Sequence, residues 1–188
     1  MTRTAPPRRD RTGPAAHPFG FRVESEPAAV AEARHRIVSV VRGWGLPLPE
    51  ESYGEVELLS SELITNAIRY SPGACAVTVR WTGARVRVEV TDTDPVRPRS
   101  RRPSAEAEGG RGLYLVESLS ADWGSTPGPA GKTVWFEIEP PSEPAVPAST
   151  GHLADRIRAA LPGFASIRRA VRPRRLRRST PYSPVLPA

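Results

Sequence analysis

Two polar residues stand one helical turn apart in an otherwise apolar stretch of the sequence. In the segment EVELLSSELITNAIRYS, Glu62 and Asn66 are four positions apart, and residues at that spacing share one face of a helix. An asparagine oxygen is a hard, neutral ligand of the kind that Mg²⁺ takes together with phosphate oxygens. A carboxylate one turn earlier could accept a proton from a hydroxyl or water that attacks a phosphate. Taken alone, the pair fits a solvated helix flank better, so the other motifs must decide whether it lines a cavity.

Two further features lie at the edges of predicted elements. Asp92 ends the strand VEVTD, where a buried carboxylate could accept a hydrogen bond from the exocyclic amine of adenine. An aspartate after a strand also forms ordinary turns. Gly109, Gly110 and Gly112 precede a predicted helix, where backbone N–H groups and the positive helix end attract phosphate oxygens. As a simpler alternative, these glycines are ordinary loop residues.

Gly131 and Lys132 open the last predicted strand. Gly131 fits a turn better than a ligand contact. Lys132, the only lysine of the chain, is a candidate phosphate partner, but we expect it to be exposed because it lies at a turn before a strand. Arg69 and Arg111 are further candidates for phosphate contact, although each is explained more simply as solvated surface. The order of all these features along the chain is the order that a nucleotide pocket needs.

Apolar periodicity predicts the elements that must position these residues. It indicates strands at 19–26, 75–81, 84–92, 122–128 and 132–140, and helices from Pro27 to the glycines at 43 and 45, at about 50–70 and at 112–120. Residues 93–112 are a long loop of Pro, Arg, Ser and Gly, which is usually functional or disordered. This order predicts an α+β fold: a two-layer α/β sandwich with helices on one face of a mixed, largely antiparallel sheet.

The basic charge of the chain lies at its two ends. The formal net charge is +7, but residues 151–188 hold nine Arg and one Asp, and residues 1–18 hold four Arg and one Asp. We therefore expect a disordered segment at 1–18, a folded domain at 19–140, a Pro-rich linker at 141–150 and an Arg-rich, mostly disordered tail at 151–188. The central domain is mildly acidic, so we expect no direct nucleic-acid binding by it.

Several classes of protein are excluded by composition. Cys75 is the only cysteine and the three histidines are scattered, so neither an internal disulfide nor a Cys/His zinc site is expected. No apolar run approaches the roughly 18 residues of a membrane span, and the N-terminal residues lack the apolar core of a secretory signal. A cytoplasmic protein without a transmembrane segment is the expectation. The sequence also lacks the pattern G-x-x-x-x-G-K-[ST], so a nucleotide site of the P-loop type is not expected.

Four segments together resemble a known superfamily: SSELITNAIRYS, VEVTD, GGRGLYLVESL and GKTVWFEI. They are similar to the N box and the glycine boxes of the GHKL superfamily, which includes gyrase B, Hsp90, histidine kinases and MutL. Within it, the chain looks most like the stand-alone bacterial ATP-binding proteins that are similar to anti-sigma-factor serine/threonine kinases. The resemblance covers about residues 19–140 and implies the Bergerat α/β sandwich.

The resemblance also implies an ATP site with Mg²⁺ as cofactor. Its implied residues are Asn66 as the Mg²⁺ ligand, Glu62 as the catalytic general base, Asp92 for adenine, Gly110 and Gly112 beside the phosphate lid, and Thr133 near the adenine end. The first glycine box departs from the usual D-x-G-x-G, since it runs from Asp92 through Asp94 and Pro95 to Val96. That turn is expected to be stiffer and more charged than a glycine turn.

Three functional hypotheses remain open at this point. The leading one is an ATP-dependent serine/threonine protein kinase of the anti-sigma-factor type, which acts on a protein partner. By resemblance, that partner is a sigma factor or an anti-sigma-factor antagonist, and a homodimer is a candidate assembly. The second is a non-catalytic, ATP-dependent protein-interaction switch. The third is a nucleic-acid binder that depends on the tail, whose binding would fall steeply with salt.

Overall fold

The computed structural model describes residues 17–100, 111–141 and 152–160. The elements follow the predicted order, with one further helix: β1 Phe19–Val23, α1 Pro27–Gly43, α2 Glu50–Tyr70, β2 Cys75–Trp81, β3 Val86–Asp92, α3 Arg111–Leu119, β4 Asp122–Gly128, β5 Gly131–Ile138 and α4 His152–Ala160. The predicted α+β class is confirmed. Predictions that concern 1–16, 101–110, 142–151 and 161–188 fall outside the described residues.

The five strands form one sheet in the order β1-β2-β3-β5-β4. Every pairing of neighbouring strands is antiparallel, so the described sheet has none of the parallel pairs that a mixed sheet would contain. Gly83, at the tip of the β2–β3 hairpin, has φ +94°, a conformation that glycine adopts without a steric penalty. Because β5 lies between β3 and β4, its first residues stand beside the end of β3.

The two faces of the sheet differ in what covers them. Alternate residues of β3 and β5 are buried, as expected for a sheet with one face on the core. On the other face, Arg87 lies between Glu89 and Glu137, at N–O distances of 2.7 and 3.0 Å, and over the ring of Trp135. In the described parts of the chain, this second face is thus a layer of paired charges. The predicted two-layer sandwich is confirmed.

The core lies between the sheet and the helices α1, α2 and α3. Its fully buried side chains recur at helical spacing in α1 and α2 and at every second position in the strands. The largest of them are Phe136, Ile37, Leu59 and Ile64. Among the helices in 17–100, 111–141 and 152–160, none is both long and apolar enough to cross a membrane.

The C-terminal end of α2 is tied to the end of β3. Pro72 restricts the residue before it, and Ser71 is extended at φ −121° and ψ 130°, so the helix ends one residue earlier. The Oγ of Ser71 accepts a hydrogen bond from the backbone N–H of Thr93 at 3.0 Å, and it lies 2.7 Å from Thr93 Oγ1. The last turns of α2, which carry Asn66, are therefore held beside the turn that follows Asp92.

Helix α4 forms where the Arg-rich C-terminal segment has its short amphipathic stretch, and it packs on α2 and α3. Leu153 lies over Gly54, with its Cδ2 only 2.7 Å from the place where a Cβ would stand. Arg156 pairs with the buried carboxylate of Glu55 and donates to the carbonyl of Leu119 at 3.0 Å. In the described structure, this stretch is packed against the domain that precedes it.

We expect Arg156→Ala to lower the free energy of unfolding by about 1–3 kcal/mol, because it removes a charged partner from a buried carboxylate. The matched control is Arg158→Ala on the same helix, whose pair with Asp155 is exposed. That change should stay within about 0.5 kcal/mol of the wild type. Urea unfolding of both variants measures the difference. Equal effects would contradict the docking of α4 through Arg156.

Candidate functional site

Glu62 projects from α2 at the boundary between core and surface. Its side chain is half-buried, and this burial raises the pKa of the carboxyl group above its ordinary value. Among residues 17–100, 111–141 and 152–160, no cation pairs with Glu62 to offset the burial. A carboxylate in this situation is a stronger proton acceptor than one in water.

Gly112, the second residue of α3, lies directly against Glu62. A Cβ at position 112 would collide with Oε2 of Glu62, so any larger residue there would displace the carboxylate. The sequence suggested Gly112 as a phosphate contact; the structure additionally shows it as the residue that makes room for the carboxylate. Gly110, predicted as its companion, lies outside the described residues.

Asn66 follows Glu62 by one turn on α2, is half-buried, and is the only asparagine of the chain. Its carboxamide has no hydrogen-bond partner in the described residues, and it is not among the fully buried unpaired groups. The amide oxygen is therefore accessible and unengaged. The described residues contain no cluster of three or more His, Cys, Asp or Glu that could hold a metal ion by themselves.

Asp92 ends β3 on the side of the sheet that faces the helices and is 5 % exposed. Its Oδ1 accepts a hydrogen bond from the backbone N–H of Asp94 at 2.9 Å. The same oxygen accepts a second hydrogen bond from Nζ of Lys132, also at 2.9 Å. The buried carboxylate predicted from the sequence is thus present, but it is paired with Lys132, a residue expected to be exposed.

The prediction that Lys132 is exposed is wrong. Lys132 is 8 % exposed, and its Nζ also contacts Asp94 at Oδ2 (2.8 Å) and at the backbone carbonyl (3.0 Å). The hydrogen bond from Lys132 holds the pKa of Asp94 below its ordinary value. The alternation of β5 explains the burial: stepping back by two from the buried Phe136 and Val134 places position 132 on the same face. That alternation is the signal that could have identified Lys132.

Thr133 lies on the opposite face of the sheet from Asp92. It pairs with Thr91 in the register of β3 and β5, and the two hydroxyl oxygens are 2.8 Å apart. A shift of one residue along a strand reverses the direction of the side chain, so Lys132 stands where the resemblance placed Thr133. Gly131, predicted as a turn residue, has φ +150°, and a Cβ there would lie only 2.6 Å from Thr93 Cα.

A shallow cavity of about 410 Å³ lies at the same end of the sheet. Its lining includes Arg22, Cys75, Thr91, Asp92 and Lys132. Burial raises the pKa of the Cys75 thiol to about 11. Glu62, Asn66 and Gly112 are not part of the lining of this cavity. The structure brings Glu62 to Gly112 directly, and Ser71, five residues after Asn66, joins the end of α2 to the turn that follows Asp92.

We expect Glu62→Gln to stabilise the protein at pH 7.5. The carboxyl pKa is raised by burial, so the folded state carries the cost of an ionised, half-buried group above its folded pKa. This cost disappears as the pH falls below the ordinary value of 4.5, where both states are protonated. Thermal unfolding between pH 4 and 8 should show the variant gaining stability relative to the wild type as the pH rises. Thr65→Ala, at an exposed position of α2, changes no titratable group and is the control, which should show no such trend.

Comparisons with known proteins agree with the observed fold. The family model described as histidine kinase-like ATPase domain matches residues 23–138. Among solved structures, one similar chain is the RsbU and RsbW domains of Rv1364c from Mycobacterium tuberculosis, with a TM-score of 0.50 and 16 % sequence identity. The match covers 66 % of this chain and 32 % of that chain, so the present chain spans about a third of its length. No curated protein sequence matches significantly. The chain belongs to the histidine kinase-like ATPase family, as its resemblance to the GHKL superfamily indicated.

Proposed function

We propose that this chain is an ATP-binding regulatory protein that transfers the γ-phosphate of ATP to a serine or threonine of a partner protein. The observation that carries the proposal is the pairing of Glu62 with Gly112. A half-buried carboxylate without a described cation stands against the first turn of α3, one helical turn from an unengaged carboxamide. Family membership supports ATP as the nucleotide.

Glu62 is the proposed general base. Its raised pKa makes it a better acceptor for the proton that a serine hydroxyl loses when its oxygen attacks the γ-phosphorus. The bond between the γ-phosphorus and the bridging oxygen breaks, and ADP leaves with the electron pair. The close approach of Gly112 restricts the room in which the carboxylate can move. Backbone N–H groups at the start of α3 are suited to hold phosphate oxygens, with Gly110 proposed to contribute on the evidence of the sequence alone.

Asn66 is the proposed Mg²⁺ ligand. Its amide oxygen is a hard, neutral donor, it is accessible, and no described residue occupies it. Bound Mg²⁺ would neutralise charge that develops on the phosphate oxygens, which supply the other ligands. Asp92 is proposed to recognise adenine through its exocyclic amine. Thr133 is left out of the proposed pocket because its side chain lies on the other face of the sheet.

The proposed partner is a sigma factor or an anti-sigma-factor antagonist, and the proposed compartment is the cytoplasm. This part rests on the resemblance stated from the sequence and on the likeness in fold to a chain with an RsbW domain. The charge distribution argues against nucleic acid as the ligand of the core, because the basic excess lies at the two ends of the chain. A homodimer is the proposed assembly.

A non-catalytic switch is the second candidate, and one observation favours it. In the turn where a flexible D-x-G-x-G box would stand, Asp94 is fixed by Lys132 and is followed by Pro95. A stiff turn suits a protein that changes its affinity for a partner when ATP binds, without turnover.

We expect Asn66→Ala to abolish Mg²⁺-dependent ATP binding. In calorimetry, the wild type should bind ATP more tightly with Mg²⁺ than without, whereas the variant should lose that difference because its metal ligand is missing. Thr65→Ala, the exposed neighbour on α2, is the control and should bind as the wild type does. Mg²⁺-dependent binding that survives in Asn66→Ala would contradict the assigned ligand.

Glu62→Gln and Gly112→Ala should each reduce phosphoryl transfer to the partner by at least about 100-fold while ATP still binds, because a positioned general base contributes about 10²–10⁴-fold. Gln cannot accept the proton, and a Cβ at position 112 displaces the carboxylate. Transfer of radiolabelled phosphate measures the reaction, and calorimetry confirms the binding. Partner control that is unchanged in Glu62→Gln would support the switch instead of the kinase.

A further inference from the structure

Lys132, Asp92 and Asp94 form a closed group of charges at the end of the sheet, called here the Lys132 cluster. Asp92 and Lys132 are paired residues in the register of β3 and β5, and Asp94 lies in the turn after β3. Nζ of Lys132 contacts Asp92 Oδ1 at 2.9 Å, Asp94 Oδ2 at 2.8 Å and the Asp94 carbonyl oxygen at 3.0 Å.

The Lys132 cluster is buried, and every hydrogen of the Lys132 ammonium group has an acceptor within it. The exposed fractions of the side chains are 9 % for Lys132, 3 % for Asp92 and 18 % for Asp94. An ammonium group has three hydrogens, and here three oxygens accept them. A buried ammonium is tolerated when its hydrogens are satisfied in this way. Lys132 therefore has no donor left for a ligand.

The two carboxylate oxygens of Asp92 differ in the hydrogen bonds that they accept. Oδ1 accepts two hydrogen bonds, from Lys132 Nζ and from the backbone N–H of Asp94. Oδ2 accepts none from residues 17–100, 111–141 or 152–160, and it is not among the fully buried unpaired atoms. Two bonds on one oxygen fix the orientation of the carboxylate and leave the other oxygen accessible.

This arrangement favours a role in positioning Asp92 over a role in blocking it. Lys132 contacts one oxygen of Asp92 only, and its other two bonds go to Asp94. Since the hydrogen bond from Lys132 also holds the pKa of Asp94 below its ordinary value, Asp94 stays ionised near neutral pH and keeps the ammonium in place.

We propose that Lys132 and Asp94 are positioning residues for base recognition, which fix the orientation of Asp92 and leave its Oδ2 free to accept a hydrogen bond from the 6-amino group of adenine. The proposal rests on the proposed ATP pocket. The saturated ammonium offers no hydrogen to the 6-oxo oxygen of other purines, so the cluster selects adenine. Asp94, which departs from the expected glycine box, is then the partner that a buried lysine at position 132 requires.

The test compares ATP with purine riboside triphosphate, which has the same ring without the 6-amino group, by calorimetry with Mg²⁺. The wild type should prefer ATP about 10- to 100-fold, the worth of a hydrogen bond to a charged acceptor. Lys132→Met keeps the length of the side chain but removes the hydrogen bond that orients Asp92, so the preference should fall close to one. Lys132→Met combined with Asp94→Asn should regain part of it. Arg80→Met removes a cation from the charged face of the sheet and should keep the wild-type preference.

The outcomes separate this inference from the proposed function. A wild type that binds neither nucleotide overturns both, whereas ATP binding with an unchanged preference in Lys132→Met overturns only the inference. Tighter ATP binding by Lys132→Met would show that Lys132 blocks the base site, which also overturns the inference.

If Lys132→Met does not fold, the variant Asp94→Ala decides. It frees one ammonium hydrogen, so the preference for ATP over inosine triphosphate should fall about tenfold, and an unchanged preference overturns the inference.

Discussion

The packing of one face of α2 on the sheet is the contact from which the arrangement of the site follows. Leu59 and Leu63 are buried in the core, and each such side chain stabilises the fold by about 1.5–3 kcal/mol. A helix that is held by this face cannot rotate to bring a neighbouring flank into water. Glu62 and Asn66 therefore remain at the boundary between core and surface, whatever their own preference for solvent.

Lys132 and Glu62 are both charged groups on the inner side of the fold, but the structure accommodates their burial in opposite ways. Lys132 has a partner for each of its hydrogens, so its burial adds order to the turn after β3. Glu62 has no described cation beside it, and its burial is uncompensated within the described residues. A group kept under such strain is expected where a protein trades stability for reactivity.

Local patterns predicted what is local in this molecule. Periods of 2 and 3.6 located the strands and helices from β1 to β5, and the spacing of Glu62 and Asn66 predicted their shared face. The contact of Lys132 with Asp92 joins residues 40 positions apart and depends on the register of β3 with β5, which neither segment encodes alone. For the same reason the sequence alone does not show that Lys132, and not Thr133, faces Asp92. The docking of α4 depends on Arg156 reaching Glu55, 101 positions earlier.

The two ends of α2 have different contacts: the N-terminal end anchors α4, and the C-terminal end carries Asn66. Glu55, which anchors α4, precedes Asn66 by eleven residues, or about 16 Å along the helix axis. Helix α4 is consequently anchored on the half of α2 that is remote from Asn66. Sites more than about 10 Å apart that share no partners usually contribute independently to stability, so a change in the anchor of α4 leaves the surroundings of Asn66 as they are. The stability of the domain and the surroundings of Asn66 can thus change independently.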